Sequence, residues 1–264
     1  MPAGHTGAVP ELLEVEMYRT AVARVVGRAV DDVPIADPLF VRRSPQLPDV
    51  LVGCRITAVR RHGKVLLIDT DGPVLGLRFG MTGLLQVDGV GPIDHLAYGP
   101  NAAAVRFERL RVGFEGGGTL SVLDARRLGS AELDPDLSPL GPDAASATLA
   151  ELRVALRGTS PVKSVLLDQS RVAGLGNMLA DEVLLRAGVD PARAAGTLGK
   201  REAAALHEAI TATLVELGKR GGSHAGRLSV DRRRPSATCP FDGTVLVRRR
   251  IGGRTTYSCP THQH

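Results

Sequence analysis

The segment DQSRVAGLGNMLADEVLLRAG, residues 168–188, places two glycines directly before a predicted helix. Gly174 and Gly176 precede Asn177, where the helical pattern begins. Glycines in this position let backbone N–H groups approach an anion closely, and the N-terminus of a helix favours negative charge. The spacing therefore indicates an anion-binding turn, although two glycines before a helix more often form only a tight turn.

A second segment, VPELLEVEMYR at residues 9–19, has the features of a helix start. Pro10 suits the first turn of a helix, and the carboxylates of Glu11, Glu14 and Glu16 complement the positive end of the helix dipole. That interpretation requires no catalytic role for any of them. It leaves open why the octapeptide MPAGHTGA precedes a segment that looks like the beginning of a protein.

The distribution of charge indicates a polyanionic partner. The formal net charge is +5, and only four of the 33 basic residues are lysines, the rest being arginines. A GC-rich genome explains most of this arginine total but not its positions. From Lys219 to the end, ten basic residues stand against two acids, Asp231 and Asp242. No basic amphipathic helix accompanies this excess, so we expect nucleic acid rather than a membrane as the partner.

The three cysteines are too few for a disulfide framework and suggest a reducing compartment. The chain has neither a charged start followed by an apolar run nor an apolar stretch of 18 residues. We therefore expect a soluble, cytoplasmic protein. Nothing in the sequence argues for an oligomer, so we expect a monomer.

The apolar periodicity predicts an α+β protein. A helix is expected from Leu13 to about Val26, and residues 51–124 have the pattern of short antiparallel strands in a sandwich or barrel. Beyond the segment 133–143, rich in proline and aspartate, the pattern becomes helical. The elements expected there are a helix from Asp143 to Leu156, a short one over VKSVLLDQ, one from Asn177 to Gly188, a long one with Leu206, Ile210, Leu214 and Leu217 on one stripe, and a hairpin between Cys239 and Cys259.

The glycine-containing segment closely resembles the helix–two-turns–helix element of the formamidopyrimidine-DNA glycosylase and endonuclease VIII family. The residues that match its pattern are Lys163, Asp168, Gln169, Val172, Gly174, Gly176, Asn177, Asp181, Glu182, Ala187, Gly188 and Pro191. The resemblance extends over nearly the whole chain from Val9. It implies an N-terminal β-sandwich flanked by helices (10–132) after an extension (1–9), then a helical DNA-binding domain (133–229) and a zinc-finger-like β-hairpin (230–264).

The resemblance also implies a DNA glycosylase and AP lyase of base excision repair, associated with the nucleoid and acting on damaged double-stranded DNA. Pro10 would be the nucleophile that forms a Schiff base with C1′ of the sugar, and Glu11 would be the general acid. Glu14 matches a further family carboxylate, while Leu13 replaces the usual second proline. Lys64 would be the DNA-contacting lysine of a β-hairpin.

Other residues would bind DNA on the same grounds. Lys64, Lys163, Asn177 and Arg254 would hold phosphates, and Gly174 and Gly176 would form the turn that grips the DNA backbone. Met81 and Arg126 would fill the gap left by an extruded base. Leu128 replaces the family's aromatic residue, with loss of stacking worth about 1–3 kcal/mol. As isolated residues, Met81 and Leu128 would be read as core and Lys64 as a solvated turn residue.

The C-terminal hairpin offers two pairs of candidate zinc ligands, Cys239 with Asp242 and Cys259 with His262. Zinc accepts thiolate, imidazole and carboxylate ligands, although closed structural sites favour sulfur. His264 is an alternative to His262 or Asp242. A finger that kept its fold and lost its metal is the competing interpretation.

Two departures from the family pattern limit the functional prediction. The segment 221–238 is short and lacks the aromatic residues of the family's lesion-covering loop, so no particular lesion is predicted. If Met1 starts the mature chain, Pro10 is an internal amide with no nucleophilicity. Translation that begins at a GTG codon for Val9, followed by removal of the initiator methionine, would leave Pro10 as the N-terminal residue with a free nitrogen. A catalytically silent DNA-binding protein is therefore the alternative, and a structural helix-turn protein such as a ribosomal component is a third.

Overall fold

The computed structural model describes residues 10–93, 96 and 105–264. Two compact units are present, one formed by Pro10 and Glu14–Leu137 and the other by Glu11–Leu13 and Ser138–His264. The expected extension at residues 1–9, with the proposed start at Val9, lies outside the described residues. The hairpin that we expected to be a separate domain belongs to the second unit.

The first unit contains the predicted β-sandwich. One antiparallel sheet has the strand order β1-β6-β7-β5 and the other has the order β2-β3-β4-β8. The strands are β1 Val30–Ala36, β2 Ile56–His62, β3 Val65–Thr70, β4 Leu75–Arg78, β5 Gly83–Val87, β6 Glu108–Phe114, β7 Thr119–Asp124 and β8 Ser130–Leu133. Buried residues of both sheets, such as Leu66 and Leu110, share one hydrophobic core. The two sheets therefore pack face to face.

Helix α1, Leu12–Val22, continues as a 3₁₀ turn at Ala23–Val25, close to the predicted helix, and α2 spans Leu47–Leu51. The strand β1 was not predicted, because its sequence VDDVPIA carries two aspartates and a proline. Such residues are tolerated at the edge of a sheet, where one side of the strand needs no partner. β1 lies at that edge and pairs with β6 through an irregular register.

The second unit contains four helices among its described residues, namely α3 Leu149–Ala155, α4 Val162–Leu167, α5 Asn177–Ala187 and α6 Lys200–Lys219. The predicted helix start at Asp143 is wrong. The carboxylate of Asp143 accepts the N–H of Ala145 in a turn. Thr148 then begins the helix with a reciprocal capping box to Glu151.

Short 3₁₀ turns occur at Val105–Phe107, Ala195–Thr197, Ser223–Ala225 and Val230–Arg232. The hairpin is formed by β9, Val247–Ile251, and β10, Arg254–Ser258. It packs a small core of its own, formed by Leu185, Leu228, Cys239, Leu246, Tyr257 and Cys259.

Among the described residues, no helix has both the length and the apolar character needed to cross a membrane.

Candidate functional site

In the first unit, Pro10 is buried and lines a cavity of about 140 Å³. Lys64, Arg78, Phe79 and Gly80 complete its wall. Lys64 lies in the tight turn between β2 and β3, and Arg78 ends β4. The cavity thus places two cationic side chains around the proline ring.

Arg78 is a site residue that we did not predict. Its side chain is half-buried, and this burial lowers the pKa of the guanidinium, an effect that the charge of Glu132 opposes. The sequence contained one signal, since Arg78 is the single charge in the apolar run VLGLRFG. A cation in a strand otherwise made of leucine and glycine requires a specific environment.

Glu14 is fully buried in the first unit. It is therefore not a solvent-exposed acid that serves only to complement the start of a helix. It lies near Tyr18, whose hydroxyl donates to the carbonyl of Gly83 at 2.9 Å. Burial is the main cause of the raised pKa of Tyr18, and the charge of Glu14 raises it further. Glu14 is therefore an interior residue whose charge affects a neighbouring buried side chain.

The loop after β7 is organised by the buried carboxylate of Asp124. It accepts the backbone N–H of Arg126 at 3.2 Å and that of Gly129 at 2.7 Å, and the hydroxyl of Thr82 donates to it as well. These bonds hold the segment around residue 82 against the segment 124–129. We had not selected Asp124 as a site residue.

The candidate wedge residues lie on these two adjoining segments. A Cβ atom on Gly80 would lie 2.6 Å from the backbone carbon of Leu128, so a larger residue would separate them. Leu128 is 46% exposed, which excludes the interpretation of this leucine as core. Met81 is half-buried, and Arg126 is exposed. The structure therefore brings the three predicted residues to one place.

In the second unit, Glu11 caps helix α5. One oxygen of its carboxylate accepts the N–H groups of Gly176 at 3.0 Å and Leu179 at 3.1 Å, and the other accepts that of Met178 at 2.9 Å. The side chain is only 2% exposed. The anion at this helix N-terminus is thus a carboxylate of the protein itself.

The predicted role of Gly174 and Gly176 in gripping DNA is corrected accordingly. The N–H of Gly176 binds Glu11, and the N–H of Gly174 donates to the side chain of Gln169 at 2.9 Å. A Cβ atom on Gly176 would lie 2.2 Å from the carboxyl carbon of Glu11, and Gly174 has a φ of +112°. Both glycines are therefore required for the seating of the segment that begins with Glu11.

The predicted contact of Lys163 with a phosphate is also corrected. Its side chain is fully buried, and its Nζ lies 2.7 Å from Asp181 Oδ1. It also donates to the hydroxyl of Thr256 at 2.7 Å and to the carbonyl of Thr255 at 3.2 Å. Arg233 contacts the other oxygen of Asp181 at 2.8 Å. Burial lowers the pKa of Lys163, while Asp181 opposes that change.

The buried lysine instead fixes the start of β10. The amide of Asn177 donates to the same carbonyl of Thr255, at 3.2 Å. Arg254, the residue directly before Thr255, is exposed. Lys163 and Asn177 together therefore position the exposed Arg254 at the tip of the hairpin.

The hairpin holds a three-residue cluster that could bind a metal ion. One donor atom from each of Cys239, Asp242 and Cys259 lies within 4.8 Å of the others. The thiol of Cys259 lies 3.3 Å from Asp242 Oδ2. Burial raises the pKa of Cys239, and the N–H of Thr244 is the main cause that lowers the pKa of Asp242 to about 2. Two thiolates and a carboxylate are ligand types that zinc accepts, and they supply three of the four donors of a closed structural site.

His262 is not part of this cluster, so its prediction as a ligand is corrected. Its Nε2 lies 2.9 Å from the carbonyl of Leu185, and its ring stacks on Phe241 with a centroid distance of 4.4 Å. His264 is also outside the cluster; its backbone N–H donates to the carbonyl of Gly188 at 2.9 Å. The imidazole of His262 is thus held by Phe241 and by the carbonyl of Leu185, outside the position of a fourth ligand.

If Lys163 acts only inside the protein, Lys163→Met should destabilise it without removing a phosphate contact. We expect a loss of about 3 kcal/mol in the free energy of unfolding, because Asp181 keeps only Arg233 as its ionic partner. Urea denaturation measures this, with the exposed Lys200→Met as the matched control. The interior role of Lys163 would be contradicted by a stable variant in which the slope of log K for DNA against log salt is smaller by about 0.9, the value for one phosphate contact.

Comparison with known proteins identifies the family. Residues 9–131 match the formamidopyrimidine-DNA glycosylase N-terminal domain, and residues 134–226 match the H2TH domain of the same proteins. A formamidopyrimidine-DNA glycosylase of Cereibacter sphaeroides is 34% identical over 97% of this chain and 100% of its own length.

Solved structures agree with the sequence matches. The complex of Lactococcus lactis Fpg with DNA containing an abasic site is 25% identical and has a TM-score of 0.81, over 96% of this chain and 99% of that one. A complex of the Lactococcus lactis protein with FAPY-dG-containing DNA has a TM-score of 0.82 at 26% identity, over 96% and 100%. This chain therefore belongs to the formamidopyrimidine-DNA glycosylase family.

Proposed function

We propose that this protein is a DNA glycosylase and AP lyase of base excision repair that acts as a monomer on damaged double-stranded DNA. The observation that carries this proposal is the cavity around Pro10, where Lys64 and Arg78 also line the wall. A family relative bound to abasic-site DNA supports the same substrate class.

The reaction requires a free nitrogen on Pro10. That amine attacks C1′ of the damaged nucleotide, the bond to the base breaks, and the base leaves with a proton. The Glu11 carboxylate takes the N–H proton that the attacking amine releases and, as the general acid, delivers it to the ring oxygen as the sugar opens, which leaves an iminium ion on Pro10. Water then takes a proton from C2′, and the C3′–O bond breaks with departure of the 3′ phosphate, which cuts the strand. Hydrolysis of the remaining Schiff base frees the amine of Pro10. Lys64 and Arg78 favour the unprotonated, nucleophilic form of the amine by charge repulsion.

The remaining site residues would bind and reshape the DNA. Lys64, Asn177 and Arg254 hold phosphates in this proposal. Met81, Arg126 and Leu128 enter the helix where the damaged nucleotide leaves it. The position of Leu128 supports this role, since this exposed leucine lies against Gly80, the neighbour of Met81 in the chain.

We also propose that Cys239, Asp242 and Cys259 hold one zinc ion. When bound, zinc would act as a structural cross-link between the two ends of the hairpin. The converging donor atoms support this assignment. The Lys163–Asp181 pair would position the hairpin independently of the metal.

Borohydride trapping tests the proposed chemistry. Protein that begins at Pro10 should form a covalent adduct with duplex DNA containing an abasic site, because reduction of the iminium fixes the bond. Protein that begins at Met1 should form none. A tetrahydrofuran site, which has no aldehyde, is the control for binding. Normal DNA binding without any adduct from the Pro10 form would instead support a catalytically silent DNA-binding protein.

Glu11→Gln should lower the rate of base excision in a single turnover by about 10²–10⁴-fold, because general acid catalysis is lost. Glutamine keeps one acceptor oxygen, enough for Gly176 and Leu179, but its NH2 group cannot accept the N–H of Met178. The variant should therefore be less stable than the wild type, and circular dichroism checks that it is folded at the assay temperature. Glu16→Gln is the matched control, since Glu16 belongs to the same segment and pairs with Arg19 and Arg61. An excision rate equal to that of the control would rule out Glu11 as the acid.

Elemental analysis tests the metal assignment. The wild-type protein should contain about one zinc ion per chain, as a structural site holds one. Cys259→Ser should lose it, while His262→Gln should keep it, because His262 lies outside the cluster. Equal loss in both variants would show that His262 is a ligand after all, and a wild-type protein without zinc would contradict the assignment itself.

A further inference from the structure

A basic pocket of about 310 Å³ lies between the end of α6 and the 3₁₀ turn at Val230–Arg232. We use this name for the cavity lined by Arg220, His224, Ala225, Gly226, Arg227, Ser229 and Arg232. Three of these side chains are guanidinium groups. Among the lining residues that the structure describes, none is acidic. The described lining of the basic pocket is therefore rich in groups that bind anions.

The loop that forms the basic pocket is held from inside the protein. The carboxylate of Glu182 is 1% exposed and accepts the N–H of Leu228 at 3.0 Å. A Cβ atom on Gly226 would lie 2.7 Å from the same carboxylate, so the backbone approaches it closely. Leu228 is buried, and its carbonyl accepts the side chain of Arg233 at 3.0 Å. These contacts hold the loop around Gly226 and Leu228 in place.

The central arginine of the pocket has a fixed position. The guanidinium of Arg227 lies over the ring of Phe241, 4.7 Å from its centroid, and that ring stacks on His262. Arg220 is paired with Glu216 at 2.9 Å on the solvent side, where its side chain is 54% exposed. Such a surface pair contributes little energy and can exchange for a stronger anion. Arg232 is exposed.

We infer that the basic pocket binds a phosphate group of the DNA backbone. A planar guanidinium that is held by stacking loses little freedom when it binds two phosphate oxygens. Arg220 and Arg232 are exposed and Arg227 is half-buried, so binding does not require the full burial of an unpaired charge. The inference rests on the proposed function for the identity of the polyanion, and it gives the short segment 221–238 a role in DNA binding.

The salt dependence of DNA binding tests this inference. The full chain is titrated with a duplex containing a tetrahydrofuran site, over about 50–200 mM salt, and the slope of log K against log salt is measured. Arg227→Gln with Arg232→Gln should reduce the slope by about 0.9, the value for one lost phosphate contact. The control is Arg153→Gln with Arg201→Gln, which removes the same charge from exposed positions on α3 and α6.

Further arms separate the possible outcomes. Arg227→Lys keeps the charge and should keep the slope close to that of the wild type. A double variant whose slope equals that of the control would overturn the inference. Inorganic phosphate that raises the melting temperature of the wild type, without a slope change in the double variant, would replace DNA with free phosphate as the ligand. Borohydride trapping is read separately, so failure of the enzyme proposal and failure of the pocket are distinguishable.

Discussion

The structure depends on a buried carboxylate at the N-terminus of a helix. Glu11 accepts three N–H groups of the turn that begins α5, in a position that only glycine at 176 allows. Hydrogen bonds to a charged group contribute about 1.5–3 kcal/mol each, so this cap exceeds any exposed ion pair in strength.

Helix α5 extends this constraint through the second unit. Its Asp181 forms the buried pair with Lys163, which fixes the start of β10. Its Glu182 holds the loop of the basic pocket, and the carbonyl of Leu185 binds His262. Removing either partner of the buried ion pair leaves a charge with insufficient compensation. The DNA-binding residues that we propose in this unit are thus positioned by hydrogen bonds and ion pairs that converge on one buried helix, α5.

The sequence was sufficient to predict the elements but not all of their surroundings. The antiparallel strands, helix α5 and the long helix α6 followed from periodicity and from glycine positions. The choice of a β-sandwich over a barrel followed from the family resemblance. Strand β1 was missed, because its stability comes from its place at a sheet edge and not from its own residues. The start of α3 was wrong, because both Asp143 and Thr148 are good caps and only the surrounding contacts decide between them.

Side-chain roles were harder to predict than elements, for the same reason. A lysine in a DNA-binding motif is read as exposed, whereas Lys163 is buried because Asp181 and Thr256 surround it. His262 has the spacing of a ligand, but the carbonyl of Leu185 and the ring of Phe241 hold it elsewhere. Residue type and spacing indicate what a group can do, and its neighbours determine what it does.

The most direct test of the account is the site of the covalent bond. Protein that begins at Pro10 is reduced with borohydride on abasic-site DNA and digested, and the cross-linked peptide is sequenced by mass spectrometry. The account predicts that the sugar remnant is attached to the nitrogen of Pro10. A remnant on Nζ of Lys64, which lines the same cavity, would contradict it.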